Sequence, residues 1–224
     1  MDEIAVNSYR DRLLDLDACV VSDALDTLGL TGGVAGLRPV WEGSRTAGRV
    51  VTMRTVPADG RTSSRHLGTA AIERADAGDV IVVQQEHGGT PTAGSWGGLL
   101  AQAAVIKGVG GVIVDGACRD VDEIRELRLP VSALTTVPFT ARGRFVEDSV
   151  GDPVQIHGVT VTDGDYVIAD GSGVTFVAAS DIDRVLTTAE RLVAKERLMT
   201  EDLRRGLLPS QVMGRNYEEM LNAG

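Results

Sequence analysis

The chain has 224 residues, of which 43% are hydrophobic, only 4% aromatic and 27 are glycine. Its formal charge is −10, with lysine and arginine scattered, so neither a nucleic-acid face nor an anionic membrane surface is expected. No apolar run reaches the roughly 20 residues of a membrane span, and the opening MDEIAVNSYRDR lacks the basic and apolar regions of a signal peptide, which predicts a soluble cytoplasmic protein.

In chain order, DACVVSDALDTLG predicts a helix, with Asp17 as N-cap and Gly29 just past its end. After a glycine-rich turn, the β-branched residues of GRVVTMRTV predict a strand. SSRHLGTAAIERA reads as a helix capped by Ser63 or Ser64, and AGDVIVVQQ as a strand behind a turn at Gly78-Asp79. Gly97 and Gly98 precede LLAQAAVIKG, an apolar helix ending at Gly108, and GGVIVDG is a short buried strand. VDEIRELRL is a helix with Asp120 as N-cap and Glu123 at capping-box spacing, and LPVSAL is the next strand. Strand, helix, strand, helix, strand predicts parallel βαβ units and hence an α/β fold. From Thr140 onward, turns at Gly151-Asp152, Asp163-Gly164 and Asp170-Gly171 predict a meander of short strands. A long helix or helix pair follows, capped by Ser180. With no repeat or linker, the chain reads as one domain over 1–224, its core at about 15–178 and its C-terminal helices at about 180–206.

Several residues are candidates for chemistry. The backbone of Gly97, Gly98, Leu99 and Leu100 opens a helix, whose first N–H groups lack intrahelical partners and carry partial positive charge. Two glycines there let a small carboxylate or phosphate approach, or else let the helix pack closely on its sheet. Arg119-Asp120 falls just past the C-terminal end of a buried strand, where open α/β sheets collect ligands. Arginine offers a fork to a carboxylate or enolate, and aspartate is a hard ligand suited to Mg²⁺ or Mn²⁺. The competing reading is a plain helix cap beside a solvated arginine. Asp115 either orients that pair or forms a turn with Gly116. Glu196 continues the apolar stripe of Ile182, Val185, Leu186, Ala189, Leu192 and Val193, which is the pattern either of a helix end fraying into solvent or of a contact with another charge or metal, as across a subunit boundary. His66, His87 and His157 are isolated and no zinc spacing occurs; His157 is expected to be structural. Cys19 and Cys118 form no CxxC motif and are expected in the core. Neither a P-loop nor a GxGxxG after a strand is present, so nucleotide binding is not supported.

GSWGGLLAQAAVIKGVGGVIVDGACRD resembles the central signature of the RraA-like family, which includes 4-hydroxy-4-methyl-2-oxoglutarate/4-carboxy-4-hydroxy-2-oxoadipate aldolases. VSDALD at Val21–Asp26, AGDVIVV at Ala77–Val83 and VTDGDYVIADGSGV at Val161–Val174 extend the resemblance to roughly residues 15–206. It implies a β/β/α swivelling fold like that of phosphohistidine domains, assembled as trimers or as hexamers with sites between subunits. It implies that the Gly97–Leu100 backbone holds pyruvate, that Arg119 contacts the substrate oxygen as the catalytic residue, and that Asp120 binds Mg²⁺ or Mn²⁺. A glutamate from a neighbouring subunit completes the family's site, and Glu196 is the candidate here. The chain departs from many of the aldolases at Gly98, where they carry an acid. The activity implied is a metal-dependent lyase acting on a small 2-oxo acid, an aldol or oxaloacetate, through a pyruvate enolate. The alternatives are an RraA-type protein inhibitor of ribonuclease E, or an enzyme of the same scaffold acting on another small acid. Family members labelled demethylmenaquinone methyltransferases offer no further guide, because no S-adenosylmethionine motif occurs.

Overall fold

The computed structural model describes residues 3–213 apart from Ser64 and Thr90. In chain order its elements are α1 Glu3–Leu14, α2 Ala18–Thr27, β1 Gly33–Val34, β2 Arg38–Pro39, β3 Thr46–Pro57, α3 Thr69–Arg74, β4 Val80–Gln85, β5 Gly94–Trp96 and α4 Gly98–Lys107. They continue with β6 Gly111–Cys118, α5 Val121–Glu126, β7 Val131–Thr136, β8 Phe145–Val150, β9 Val154–Ile156, β10 Val159–Val161, β11 Tyr166–Ala169, β12 Val174–Val177, α6 Ile182–Arg204 and α7 Pro209–Val212.

The expected βαβ units are present: β3, β4, β6 and β7 pair in parallel. Their valine- and isoleucine-rich sequences suit a sheet covered on both faces. The long strand β3 is where the fold changes character. Thr46–Arg49 pairs antiparallel with β11, Val50–Thr55 pairs in parallel with β4, and Met53–Pro57 pairs antiparallel with β8. One strand therefore joins the parallel sheet to the antiparallel C-terminal strands, and β9–β10 form the separate hairpin of the expected meander.

Side-chain alternation along the strands separates two cores. Val51, Ile81, Val83, Val112 and Val114 face α3, α4 and α5 together with Trp96 and Leu100. Val50, Val80, Val82 and Ile113 face the other way, against Val154, Ile156, Val167 and Phe176 of the C-terminal strands. Burying a side chain such as Leu100 contributes about 1.5–3 kcal/mol. The mixed α/β fold thus carries α3, α4 and α5 on one face of the parallel sheet and the C-terminal strands on the other, while α1, α2 and α6 pack a further core with Ala47, Tyr166 and Ile168. α6 packs its stripe of Ile182, Val185, Leu186, Ala189 and Leu192 against α2.

Local expectations needed correction at several points. The helix expected from Ser63 begins only at Thr69, because Gly68 before it is left-handed (φ 84°) and its N–H donates to the Glu147 carboxylate of β8. Ser63 bonds the Arg65 carbonyl instead of capping, and Ser64 lies outside the described residues. Ser180 does not cap α6; Asp181 holds that position, with no side-chain cap bond. Cys118 is buried, as expected, and burial pushes its thiol up to about 12. Cys19 is exposed, because α2 turns Ala18, Val20, Val21, Ala24 and Leu25 inward and leaves position 19 outside.

Candidate functional site

The C-terminal end of β6 and the start of α4 meet at one cavity. β5 runs parallel beside the end of β6, and the Arg119 N–H donates to the Trp96 carbonyl. A buried glutamine sets this junction. The Gln85 side-chain amide donates to the Ala93 carbonyl, and its oxygen accepts the Ala117 N–H. β6 therefore emerges at a fixed height against β5, just where Arg119 and Asp120 follow.

Asp120 does not act as the capping box predicted. Its backbone is left-handed (φ 57°) and its side chain makes no bond to its own helix, α5. Instead Oδ2 reaches across to α4, accepting the Gly98 N–H at 3.0 Å and the Arg119 Nε–H at 3.1 Å. The glycines explain the reach. A Cβ on Gly97 would stand 2.8 Å from Asp120 Oδ2, and one on Gly94 would stand 2.8 Å from Arg119 Cγ. Both glycines make room for the Arg-Asp pair. A Cβ on Gly98 would fall only 1.9 Å from Glu123 Oε2, so that carboxylate also lies over the helix start.

Burial works to raise the Asp120 carboxyl, but the Gly98 N–H and the Arg119 guanidinium outweigh it and hold the group below the usual carboxylate range. Asp120 is thus anionic, and among the described residues Oδ1 has no hydrogen-bond partner. The two terminal nitrogens of Arg119 are likewise unpartnered there. Gly97 gives α4 no side-chain cap, so the Leu99 and Leu100 amides remain at the cavity. The arrangement presents two donor groups, a guanidinium and a helix N-terminus, around one hard carboxylate ligand.

The cavity has a volume of about 740 Å³, within the range of small-molecule sites. Gly97–Leu100, Arg119 and Asp120 line one end. Arg61, Arg65 and His66 of one loop, with Arg142 of another, line the rest. Arg61 is tied to the Ala58 and Pro57 carbonyls, and no carboxylate pairs with Arg61, Arg65 or Arg142 among the described residues. These arginines escaped sequence reasoning because nothing in their spacing marks them; the loops bring them together.

Other expected site residues lie elsewhere. Asp115 faces away from Arg119, because the alternation that sends Val114 toward α4 sends Asp115 to the opposite side of β6, where its Oδ1 meets His157 Nε2 at 3.1 Å. Asp115 therefore does not orient Arg119, and His157 is structural, fastening the β9–β10 turn to the sheet. Lys107 sits at the far end of α4, bonded to the Glu73 carbonyl. Glu196 is exposed on α6 and does not line the cavity of its own chain. Burial and the nearby Asp17 and Asp23 carboxylates raise its carboxyl above the usual range.

A family model described as RraA-like, Aldolase/RraA, matches residues 18–176. Protein DlpA of Legionella pneumophila is 29% identical over 191 residues, which are 84% of this chain but 31% of that protein, so the chain spans under a third of this relative. A Halalkalibacterium halodurans protein named "Putative 4-hydroxy-4-methyl-2-oxoglutarate aldolase" is 27% identical over 187 residues, 82% of this chain and 84% of that one. Among solved structures, Streptomyces coelicolor RraAS2, described as an unusual member of the RNase ES inhibitor RraA protein family, superposes with TM-score 0.78 at 25% identity, covering 87% of this chain and 98% of that one.

Proposed function

The chain belongs to the RraA-like family, and from that premise we propose that it is a divalent-metal-dependent lyase acting on a 2-oxo diacid. The observation that carries this reading is the Arg119–Asp120 pair folded over the glycine start of α4, inside a cavity otherwise rich in unpaired arginine. A relative named for aldolase activity supports the reaction class.

The substrate's 2-oxo acid end lies against Arg119 and the Leu99 and Leu100 amides. Its second acid group faces the arginine loops. When the C3–C4 bond of an aldol breaks as its C4 hydroxyl gives its proton to water, or when oxaloacetate loses CO₂, the bonding electrons pass through C3 onto the C2 oxygen, giving the enolate of pyruvate, which takes a proton from water at C3. Arg119 donates its terminal N–H groups to that oxygen, where charge develops. The helix start holds the carboxylate in line. Asp120 fits a hard divalent cation, because it is anionic and has a free oxygen. Mg²⁺ or Mn²⁺ held there supplies further positive charge for the enolate. Preorganised donors of this kind are worth about 3–4 kcal/mol each. No lysine is needed for a Schiff base.

A homotrimer or hexamer completes the proposal, with Glu196 reaching a neighbour's cavity. The exposed Leu99 at that cavity, and Phe139 beside its lining residue Thr140, support a subunit contact. The test is pyruvate release from oxaloacetate, with EDTA and then with Mg²⁺ or Mn²⁺ restored. Turnover that EDTA stops and metal restores is expected; turnover indifferent to EDTA overturns the metal reading. Inhibition of an RNA-processing enzyme is the competing reading, favoured by the net charge of −10. It predicts inhibition that survives Asp120→Ala.

A further inference from the structure

Glu123 does not line the cavity itself but stands over Gly98, which does, and the proposed reaction leaves it unused. It stands at the third position of α5, where it would be expected to bond back to the Asp120 backbone N–H, and it makes no such bond. Its neighbour Asp122 is paired with Arg125, whereas among the described residues Glu123 has no ion pair and no side-chain hydrogen bond. Its carboxylate lies instead over Gly98, in the place where a side chain from residue 98 would begin. Asp120 lies over Gly97 in the same manner. Two carboxylates thus cross two consecutive glycines at one helix start, and Arg119 is bonded only to the first. Mg²⁺ and Mn²⁺ suit such a pair, since they are bound through one or two carboxylates, with water and substrate completing the shell.

We infer that Glu123 is the second acid facing the divalent cation, and that Gly98 is glycine so that an acid carried by α5 occupies the space above it. This rests on the metal reading proposed above. It makes Glu123 a positioning residue for the cation, and it makes residues 98 and 123 interchangeable sources of one carboxylate.

The experiment measures Mn²⁺ binding to the full chain by the loss of the free-ion electron paramagnetic resonance signal, with melting temperature recorded in parallel without metal. The variants are Glu123→Gln, Asp122→Asn, Gly98→Ala and Gly98→Asp/Glu123→Gln. Glu123→Gln is expected to weaken Mn²⁺ about tenfold, one missing charge-assisted contact. Asp122→Asn, the same charge change one residue away, leaves affinity unchanged. Gly98→Ala removes no charge but puts a methyl group where the Glu123 carboxylate lies, and it weakens Mn²⁺ like Glu123→Gln. The double variant restores affinity by supplying the acid from position 98. Equal affinity of wild type and Glu123→Gln overturns the inference, as does a lower melting temperature in Glu123→Gln with unchanged Mn²⁺ affinity, which would make the residue only a partner of the α4 dipole. Failure of the wild type to bind Mn²⁺, with or without oxalate, overturns the metal reading itself and is told apart by that first measurement.

Discussion

Asp120 and Glu196 are both partly exposed carboxylates beside a helix, and their surroundings drive them in opposite directions. Around Asp120 the chain gathers an arginine and a backbone N–H, so its carboxyl is held low. Around Glu196 burial and more acid, Asp17 at the start of α2 and Asp23 within it, hold its carboxyl high. No lysine or arginine pairs with Asp23 or Glu196 among the described residues, while the cavity holds arginines that pair with no acid. A carboxylate's chemistry is set by what surrounds it. Here one region has spare positive charge and the other spare negative charge, the complementarity that a contact between two copies requires.

The contrast breaks most visibly at Arg119. Arg119→Ala is expected to lower kcat for oxaloacetate by about 10²–10³, the loss typical of one donor to a developing oxyanion. Arg119→Lys is expected to fare nearly as badly, because lysine keeps the charge and loses the fork. Steady-state kinetics decide the matter, and wild-type turnover by Arg119→Lys would mean that a point charge suffices.

Next in size is Asp120→Ala. Calorimetry is expected to show Mn²⁺ affinity lost while the fold persists. The side chain bonds one amide of α4, so its removal costs at most about 2 kcal/mol, within the margin of an average domain. Unchanged affinity would reduce Asp120 to a cross-helix cap.

Mixing Asp120→Ala with Glu196→Ala tests whether the two regions meet across a subunit boundary. After dissociation and reassembly, about a quarter of the sites in a randomly mixed ring combine an intact Asp120 with a neighbour's intact Glu196. Recovery of activity toward that fraction is expected. With subunit exchange verified by mass spectrometry, no recovery would remove Glu196 from the site.

The smallest effect concerns Glu196 and pH. Its folded pKa is raised, so its contribution is full below the ordinary glutamate value of about 4.3 and is lost as pH rises through the folded value. Thermal unfolding of the wild type is expected to lose stability relative to Glu196→Gln between that value and neutrality. The difference should stay within about 0.5 kcal/mol, the usual bound for a surface change. A difference of opposite sign would mean that a cation, not Asp17 and Asp23, dominates there.

Much of this was legible in the sequence. The βαβ centre follows from apolar runs between glycines, and the place of Arg119-Asp120 follows from the end of β6. The direction of the Asp120 side chain was not legible, because a left-handed aspartate reads like any N-cap. The side of β6 taken by Asp115 depends on counting alternation correctly to the bulge near Gly116, where β6 shifts register against β7. Gly68 delays the start of α3 to Thr69, through a bond from its N–H to Glu147 far along the chain. Arg61, Arg65 and Arg142 meet only because two loops fold over one cavity, a fact that no local pattern carries.

The Gln85 clamp has a consequence for how this scaffold changes over time. The reacting end is fixed from inside the sheet, by one buried amide that joins β4 to Ala93, just before β5, and to β6. The cavity's remaining wall is made of loops around 61–67 and 140–144, with the start of β8, that contribute nothing to that clamp. Chemistry and selectivity are therefore inherited from separate parts of the chain. Loop libraries confined to those two segments should yield catalysts with new substrate preferences on an unaltered bond-breaking centre, whereas a single change at Gln85 should erase all of them at once.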